Sequence, residues 1–339
     1  MVANIPSDVF ATIVKRKFIR IRESFRDAIV VNESLKVIRP FLLIRPEIAP
    51  SFVYGLLAKQ FWNSVNKAYL VDQFDEIRLI IYNPHWAKIL AGTMDKLKIG
   101  YYLFDEVRNE AFNDKINKKR FSDDLMACKV SSCIFTMTKD IADARKEFTD
   151  KITVVGNGAE VSYTTVHKKI NNSVAFVGNF RNWIDFKLLD KIISNNQDYS
   201  FYFIGHIENN VYQEFESILT RYTNVYYGGC KDKEIISSVY SMFESIIIPY
   251  KQNQFIHATR PIKIVESVMA GVPVITVPIS GYEPCSFIKF ATNADEFTEA
   301  IHYYSTHRID KNSQEYLDFV KINSWKAKAD LISVLFDEV

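Results

Sequence analysis

In the stretch RPIKIVESVMAGVPVIT, Arg260 to Thr276, a lysine and a glutamate stand three residues apart just after a proline. Residues at that spacing share one face of a helix. Pro261 marks the helix start, because proline in a first turn gives up no hydrogen bond and presets the backbone angle. The free N–H groups and positive dipole end at such an entrance favour phosphate. Lys263 lies in the first turn and adds a full charge beside a diphosphate. Glu266 lies one turn deeper, at about 1.5 Å per residue, where the ribose of a diphosphate nucleotide would fall, and its carboxylate can accept from both ribose hydroxyls. The plain alternative is an exposed ion pair worth roughly a few tenths of a kcal/mol.

A helix entrance needs strands to aim it. Short apolar runs alternate with helical patterns along most of the chain. Candidate strands are Val2–Ile5, Ala28–Val31, Ile77–Tyr82, Ile99–Phe104, Cys133–Met137 and Ile152–Val155, then Ser173–Val177, Tyr202–Ile204, Val225–Tyr227, Ile246–Pro249 and Val274–Val277. Continuous apolar runs joined by helical segments indicate parallel strands covered on both faces. Two such series in tandem predict an α/β chain of two Rossmann-like, doubly wound domains with the ligand cleft between them. The polar stretch VSYTTVHKKINN, Val161–Asn172, sets the seam, giving an N-terminal domain over 1–165 and a C-terminal domain over 166–321. A last helix, about 322–339, has the spacing to pack back on the first domain.

Bulk properties narrow the classes. The 339 residues are 48% hydrophobic and 24% charged, which suits two globular domains and excludes disorder. A net charge of +2 gives no footprint for nucleic acid. Cys128, Cys133, Cys230 and Cys285 form no metal or disulfide spacing and read as ordinary small apolar residues of a reducing cytoplasm. The opening MVANIPSDVF shows no charged region followed by an apolar one, so no secretion signal is expected. The longest apolar candidate, Val268–Ile279, is broken by Gly271, Pro273 and Pro278, so no membrane span is expected.

The segment Pro261-Ile-Lys263-Ile-Val-Glu266, followed by Ala270-Gly271-Val272-Pro273-Val274-Ile275, resembles the P-x-K-x-x-E and A-x-G-x-P-V signature of GT-B glycosyltransferases. The resemblance is to group 1, family 4-like enzymes, near the bacterial xanthan-type glucuronosyltransferase branch. Other pieces fall in the family's order. FTMTKDIADA (Phe135–Ala144) and ITVVGNGAE (Ile152–Glu160) look like the end of the first domain. VAFVGNF with RNWID (Val174–Asp185), FYFIGHI (Phe201–Ile207) and NVYYGG (Asn224–Gly229) look like donor-domain strands with their loops.

This resemblance implies a donor domain that holds a nucleotide diphosphate sugar, UDP ahead of GDP, although these residues do not separate the bases. Lys263, Arg181, Arg260 and Gly178 would meet the diphosphate and Glu266 the ribose. Gly228, Gly229, Tyr250 and His257 would line the base and sugar pocket. No metal is expected, because cations and a helix N-terminus stabilise the leaving group in such enzymes. Many group 1 enzymes carry an earlier glutamate where this chain has Ala258, eight positions before Glu266, and its absence points to inversion. The branch places a catalytic carboxylate after the strand that here reads GYYLFDEV, which makes Asp105 the candidate general base and Glu106 its understudy. Helix capping by the two acids is the alternative. His85 joins His257 as a further cleft candidate.

The basic segment VKRKFIRIRESFR, Val14–Arg26, interleaves cations with apolar residues. It could lie on the inner face of the cytoplasmic membrane or pack as an ordinary first-domain helix. The expectation is a cytoplasmic transferase that moves a sugar to a glycan or lipid-linked glycan in bacterial surface polysaccharide synthesis. The alternatives are a nucleotide-sugar 2-epimerase on the same fold and a silent nucleotide-binding partner of another transferase.

Overall fold

A computed structural model describes residues 2–3, 7–8, 29–30, 36–38, 41–42, 44, 46–67, 73–107, 114–160, 169–232 and 235–339. The basic segment 14–26 and the seam at 161–168 lie outside them. The chain divides into two compact units. One comprises Met1–Phe135, Arg145–Thr153 and Leu335–Val339; the other comprises Thr136–Ala144 and Val154–Val334.

The second unit is built on a six-stranded sheet. In chain order its strands are β10 (Ser173–Val177), β11 (Ser200–Ile204), β12 (Val225–Tyr227), β13 (Ser245–Ile248), β14 (Val274–Thr276) and β15 (Ile288–Phe290). They lie in the order β12-β11-β10-β13-β14-β15, with every pair parallel. Numbered from one within the unit, this is 3-2-1-4-5-6, the doubly wound order whose direction reverses between β10 and β13. Its central strands are unbroken apolar runs because both faces are covered. Every residue of β10 and β13 is buried.

Between β10 and β11, the helix Phe186–Asn195 buries Leu188, Leu189, Ile192 and Ile193. It is started by Asp185, whose side chain accepts from the Leu188 N–H at 2.9 Å. The helix Ile262–Met269 buries Ile264, Val265, Val268 and Met269 and leads into β14. The edge strand β15 is absent from the expected set. Its three-residue run carries Lys289 at the centre, which breaks the apolar signal, and the lysine is accommodated by lying over the Tyr303 ring, 3.2 Å from its centroid.

The larger sheet of the first unit runs β6 (Ile77–Ile81), β7 (Leu97–Leu103), β8 (Cys133–Thr136), β9 (Ile152–Val154), with β6 and β7 parallel. Gly100 on β7 faces the rings of Phe135 and Phe336, leaving no room for a Cβ. The N-terminal strands form two smaller sheets. β1 (Val2–Ala3) and β4 (Lys36–Ile38) pair in parallel, as do β2 (Ser7–Asp8) and β5 (Phe41–Leu42). β3 (Ile29–Val30) pairs antiparallel with β4. This departs from an all-parallel first domain; β3 and β4 are only five residues apart in the sequence, too few for the crossover a parallel pair requires. Among the described residues no helix is long and apolar enough to cross a membrane. All four cysteines are free thiols, and Cys128 and Cys133 are buried.

Candidate functional site

The carboxyl ends of β10, β11 and β12 each run into glycine: Gly178, Gly205, and Gly228 with Gly229. Backbone bonds knit these ends together, with the Gly178 N–H on the Ile204 carbonyl at 2.8 Å, Gly205 on Gly229 at 3.0 Å and Gly228 on Phe203 at 2.8 Å. Gly178 and Gly205 have φ of 144° and 145°, a conformation side chains rarely adopt. A Cβ on Gly205 would collide with the Gly178 carbonyl, and one on Gly178 would collide with the Lys263 ammonium. Glycine is therefore what lets the lysine head reach the end of β10.

Pro261 caps the helix Ile262–Met269 from just outside it, with φ −61° and ψ 122°, rather than occupying its first turn. Lys263 and Glu266 sit on the partly buried side of this helix. The Lys263 Nζ donates to the Tyr250 hydroxyl at 2.9 Å and lies 4.5 Å from the Phe176 ring centroid. Tyr250 follows β13 and Gly178 follows β10. Lys263 is thus held at the point where strand order reverses, the place at which doubly wound sheets bind ligands. Glu266, one turn behind, accepts from the Tyr240 hydroxyl at 3.4 Å. Burial drives the Tyr240 hydroxyl far above its ordinary range, and the Glu266 charge adds to this, so the tyrosine stays a neutral donor that orients the carboxylate. Neither charged side chain is the freely solvated ion pair that their spacing alone would allow.

The loop before this helix is pinned from several sides. Asn253 caps the short helix Gln254–His257 through the Ile256 N–H at 2.9 Å. Thr138 donates to the Ala258 carbonyl at 3.1 Å, and His257 Nδ1 lies 2.9 Å from Asp140 Oδ2. Asn157, from the ITVVGNGAE stretch, donates to the Arg260 carbonyl at 2.5 Å. The Arg260 side chain donates to the Gly281 carbonyl at 2.6 Å and to Asn323 Oδ1 at 3.0 Å, with its guanidinium 4.5 Å from the Tyr282 ring. Arg181 pairs with Glu208 at 2.7 Å and lies over Trp183. Of the expected diphosphate group, Lys263 and Gly178 come together. The guanidinium groups of Arg260 and Arg181 are engaged by other partners.

A concavity belongs to the first unit. Its volume is about 420 Å³, and its lining includes Glu47, Tyr82, Asn83, His85, Phe104, Asp105, Arg120 and Asp123. Asp105 follows β7 and is exposed, yet the surrounding protein displaces enough water to raise its carboxyl above the usual carboxylate range. His85 opens the helix Pro84–Leu90, its N–H bonded to the Asn83 side chain at 3.0 Å. Burial lowers the pKa of its imidazolium, and Asp123, 3.8 Å from Nε2, only partly offsets this. A carboxyl shifted upward and an imidazole shifted downward in one crevice are the kind of pair that proton transfer uses. Glu106 is instead committed to the interior, where it pairs with the buried Arg145 at 3.2 Å, which also holds the buried Asp124 at 2.7 Å.

Sequence reasoning did not single out Gly205, Tyr240, Tyr82 or Phe104. The glycine-ended strand FYFIGHI carried a signal for Gly205, and the remaining three depend on packing between distant segments.

The two parallel sheets give this chain the fold of the GT-B glycosyltransferases. No family model matches it. A putative teichuronic acid biosynthesis glycosyltransferase, TuaH, of Bacillus subtilis is 26% identical over 136 residues, a match that covers 37% of this chain and 34% of the relative. The match thus spans about a third of that relative's length. Among solved structures, sucrose-phosphate synthase from Thermosynechococcus elongatus superposes with a TM-score of 0.69 at 12% identity, over 99% of this chain and 88% of that one. Anabaena HepE in complex with UDP and glucose gives 0.64 at 11% identity, over 100% and 91%.

Proposed function

We propose that this protein is a glycosyltransferase that moves a sugar from a nucleotide diphosphate donor to a glycan or lipid-linked glycan of a bacterial surface polysaccharide. The observation that carries the reading is Lys263, fixed by Tyr250 above Gly178 at the switch point of the second unit, with Glu266 one turn behind it. The TuaH likeness and the UDP-bound HepE neighbour support the same class of donor and product. The roles of the two units as acceptor- and donor-binding domains belong to this proposal.

In the proposed reaction Asp105 removes the proton from an acceptor hydroxyl as its oxygen attacks the anomeric carbon. The bond to the diphosphate breaks on the opposite side, with inversion. The charge that develops on the leaving group is met by the Lys263 ammonium and by the N–H groups at the start of its helix, and no metal is needed. Glu266 anchors the ribose. Gly228, Gly229 and His257 are assigned to the base and donor-sugar pocket and Arg181 and Arg260 to outer diphosphate contacts, with UDP ahead of GDP. Membrane contact through residues 14–26 is part of the same proposal.

The test is incubation with UDP-sugars and saccharide acceptors, following UDP release and the mass and anomeric configuration of the product. The expected result is acceptor-dependent UDP release that survives a chelator, with only slow hydrolysis of donor alone. A new nucleotide sugar formed without acceptor would establish an epimerase instead, and no turnover with any donor would leave a silent binding partner.

A further inference from the structure

The crevice of the first unit has a wall that proton transfer does not require. Tyr82 and Phe104 stand at its rim, 61% and 44% exposed. Their ring centres lie 5.7 Å apart, and Tyr102 supports both from beneath, 5.2 Å from Phe104 and 5.5 Å from Tyr82. An aromatic cluster left open to water beside a polar hollow marks a binding surface more often than a packing fault. The hollow itself supplies hydrogen-bonding groups. Glu47 accepts from Asn83 Nδ2 at 2.6 Å, Asp123 holds Lys88 at 2.7 Å, and Asp105 and His85 line the same space.

We propose that this crevice is a saccharide subsite that takes a non-ionised pyranose, its C–H face against Tyr82 and Phe104 and its hydroxyls on Asp105, His85 and Asn83. A pyranose presents a weakly positive face of C–H bonds, which complements the negative face of an aromatic ring, and a rim of hydroxyls that must find partners once desolvated. The crevice offers both on adjacent walls. An aliphatic ligand would cover the carboxylates of the hollow without giving them a hydrogen-bond donor. At about 420 Å³ the space lies near the lower end of the roughly 300–1,000 Å³ typical of small-ligand pockets, which suits the end of a glycan and not a polymer segment. Three carboxylates, Glu47, Asp105 and Asp123, line it with Arg120 and His85, so a uronic acid would bring its charge to a wall already acidic.

That the bound sugar is the acceptor rests on the transferase reading; that a neutral sugar binds here does not. The experiment therefore separates the two. Saturation-transfer NMR on the full chain would compare methyl glucoside with methyl glucuronide, while UDP binding is followed in parallel by thermal shift. The glucoside should receive saturation at its C–H protons, and the glucuronide should bind about tenfold more weakly. Replacing Tyr82 and Phe104 together by alanine removes two ring contacts, each worth about two- to tenfold, and should weaken the glucoside at least about fourfold while leaving the UDP shift intact. Equal glucoside binding in wild type and variant, or preference for the glucuronide, overturns the subsite. A glucoside signal that depends on Tyr82 and Phe104 supports the subsite even where UDP gives no shift, an outcome that defeats the donor reading alone.

Discussion

Replacing Lys263 with methionine removes one charge and keeps most of the stem. In the folded protein the Nζ stands 2.9 Å from the Tyr250 hydroxyl and 4.5 Å from the Phe176 ring centroid, so a thioether fills the same apolar slot. On the proposed reading, what is lost is a charge-assisted hydrogen bond to the diphosphate, worth about 1.5–3 kcal/mol. At about 1.4 kcal/mol per factor of ten, UDP should bind about 10- to 150-fold more weakly. Uridine, which carries no diphosphate, should bind the variant as it binds wild type. The substitution also leaves the buried Tyr250 hydroxyl without its donor, a loss of roughly 1–3 kcal/mol that should lower Tm. Adding Tyr250→Phe should restore much of that stability without restoring UDP affinity. Calorimetric titration with UDP and uridine, alongside thermal melts, reads all of these quantities. UDP affinity within twofold of wild type in a folded Lys263→Met protein would refute the reasoning, as would an equal loss for uridine.

Other consequences are as specific. Gly178→Ala places a methyl group against the Lys263 ammonium at a φ of 144°, and titration with UDP should show affinity lost to at least the extent seen with Lys263→Met. Gly205→Ala drives a Cβ into the Gly178 carbonyl, and denaturant melts should show a loss of about 3 kcal/mol or more, since rigid backbone has to move. Asp105 is exposed, but the protein around it displaces enough water to raise its carboxyl, so activity should rise with pH along a limb centred above the unperturbed value of about 3.9. In Asp105→Asn, kcat should fall by about 10²–10⁴ and that limb should vanish. The sign for stability is opposite: ionising a carboxyl raised in the folded state loses stability as pH climbs through its folded pKa, so Asp105→Asn should not lower Tm at neutral pH. Burial outweighs the pull of Asp123 at His85, and NMR titration should find its imidazole neutral at pH 7, with charging delayed to more acidic pH than in a free peptide.

Much of the geometry around Lys263 was legible because it is local. Pro261, Lys263 and Glu266 lie within one short segment, and Gly178 and Gly228 end apolar runs that can only be parallel strands. The doubly wound order of the second unit followed from the same runs. Contacts that join distant segments were not legible. Tyr240 reaches Glu266 from another helix, and Tyr250 was expected against base or sugar, whereas its hydroxyl holds Lys263. Nothing local foretold that the Arg260 side chain bonds Gly281 and Asn323. The open aromatic wall of Tyr82 and Phe104 carries no sequence signal, because alternation within a strand marks a face without saying what covers it. The antiparallel pairing of β3 and the lysine-centred β15 were hidden by strands too short to carry a pattern.

A crystal structure of the protein with an intact UDP-sugar tests the central claim most directly. The account predicts a diphosphate oxygen within hydrogen-bond distance of the Lys263 Nζ, lying over Gly178, and both ribose hydroxyls on the Glu266 carboxylate. A nucleotide bound away from the end of β10, with Lys263 still closed on Tyr250 and Glu266 untouched, would contradict it.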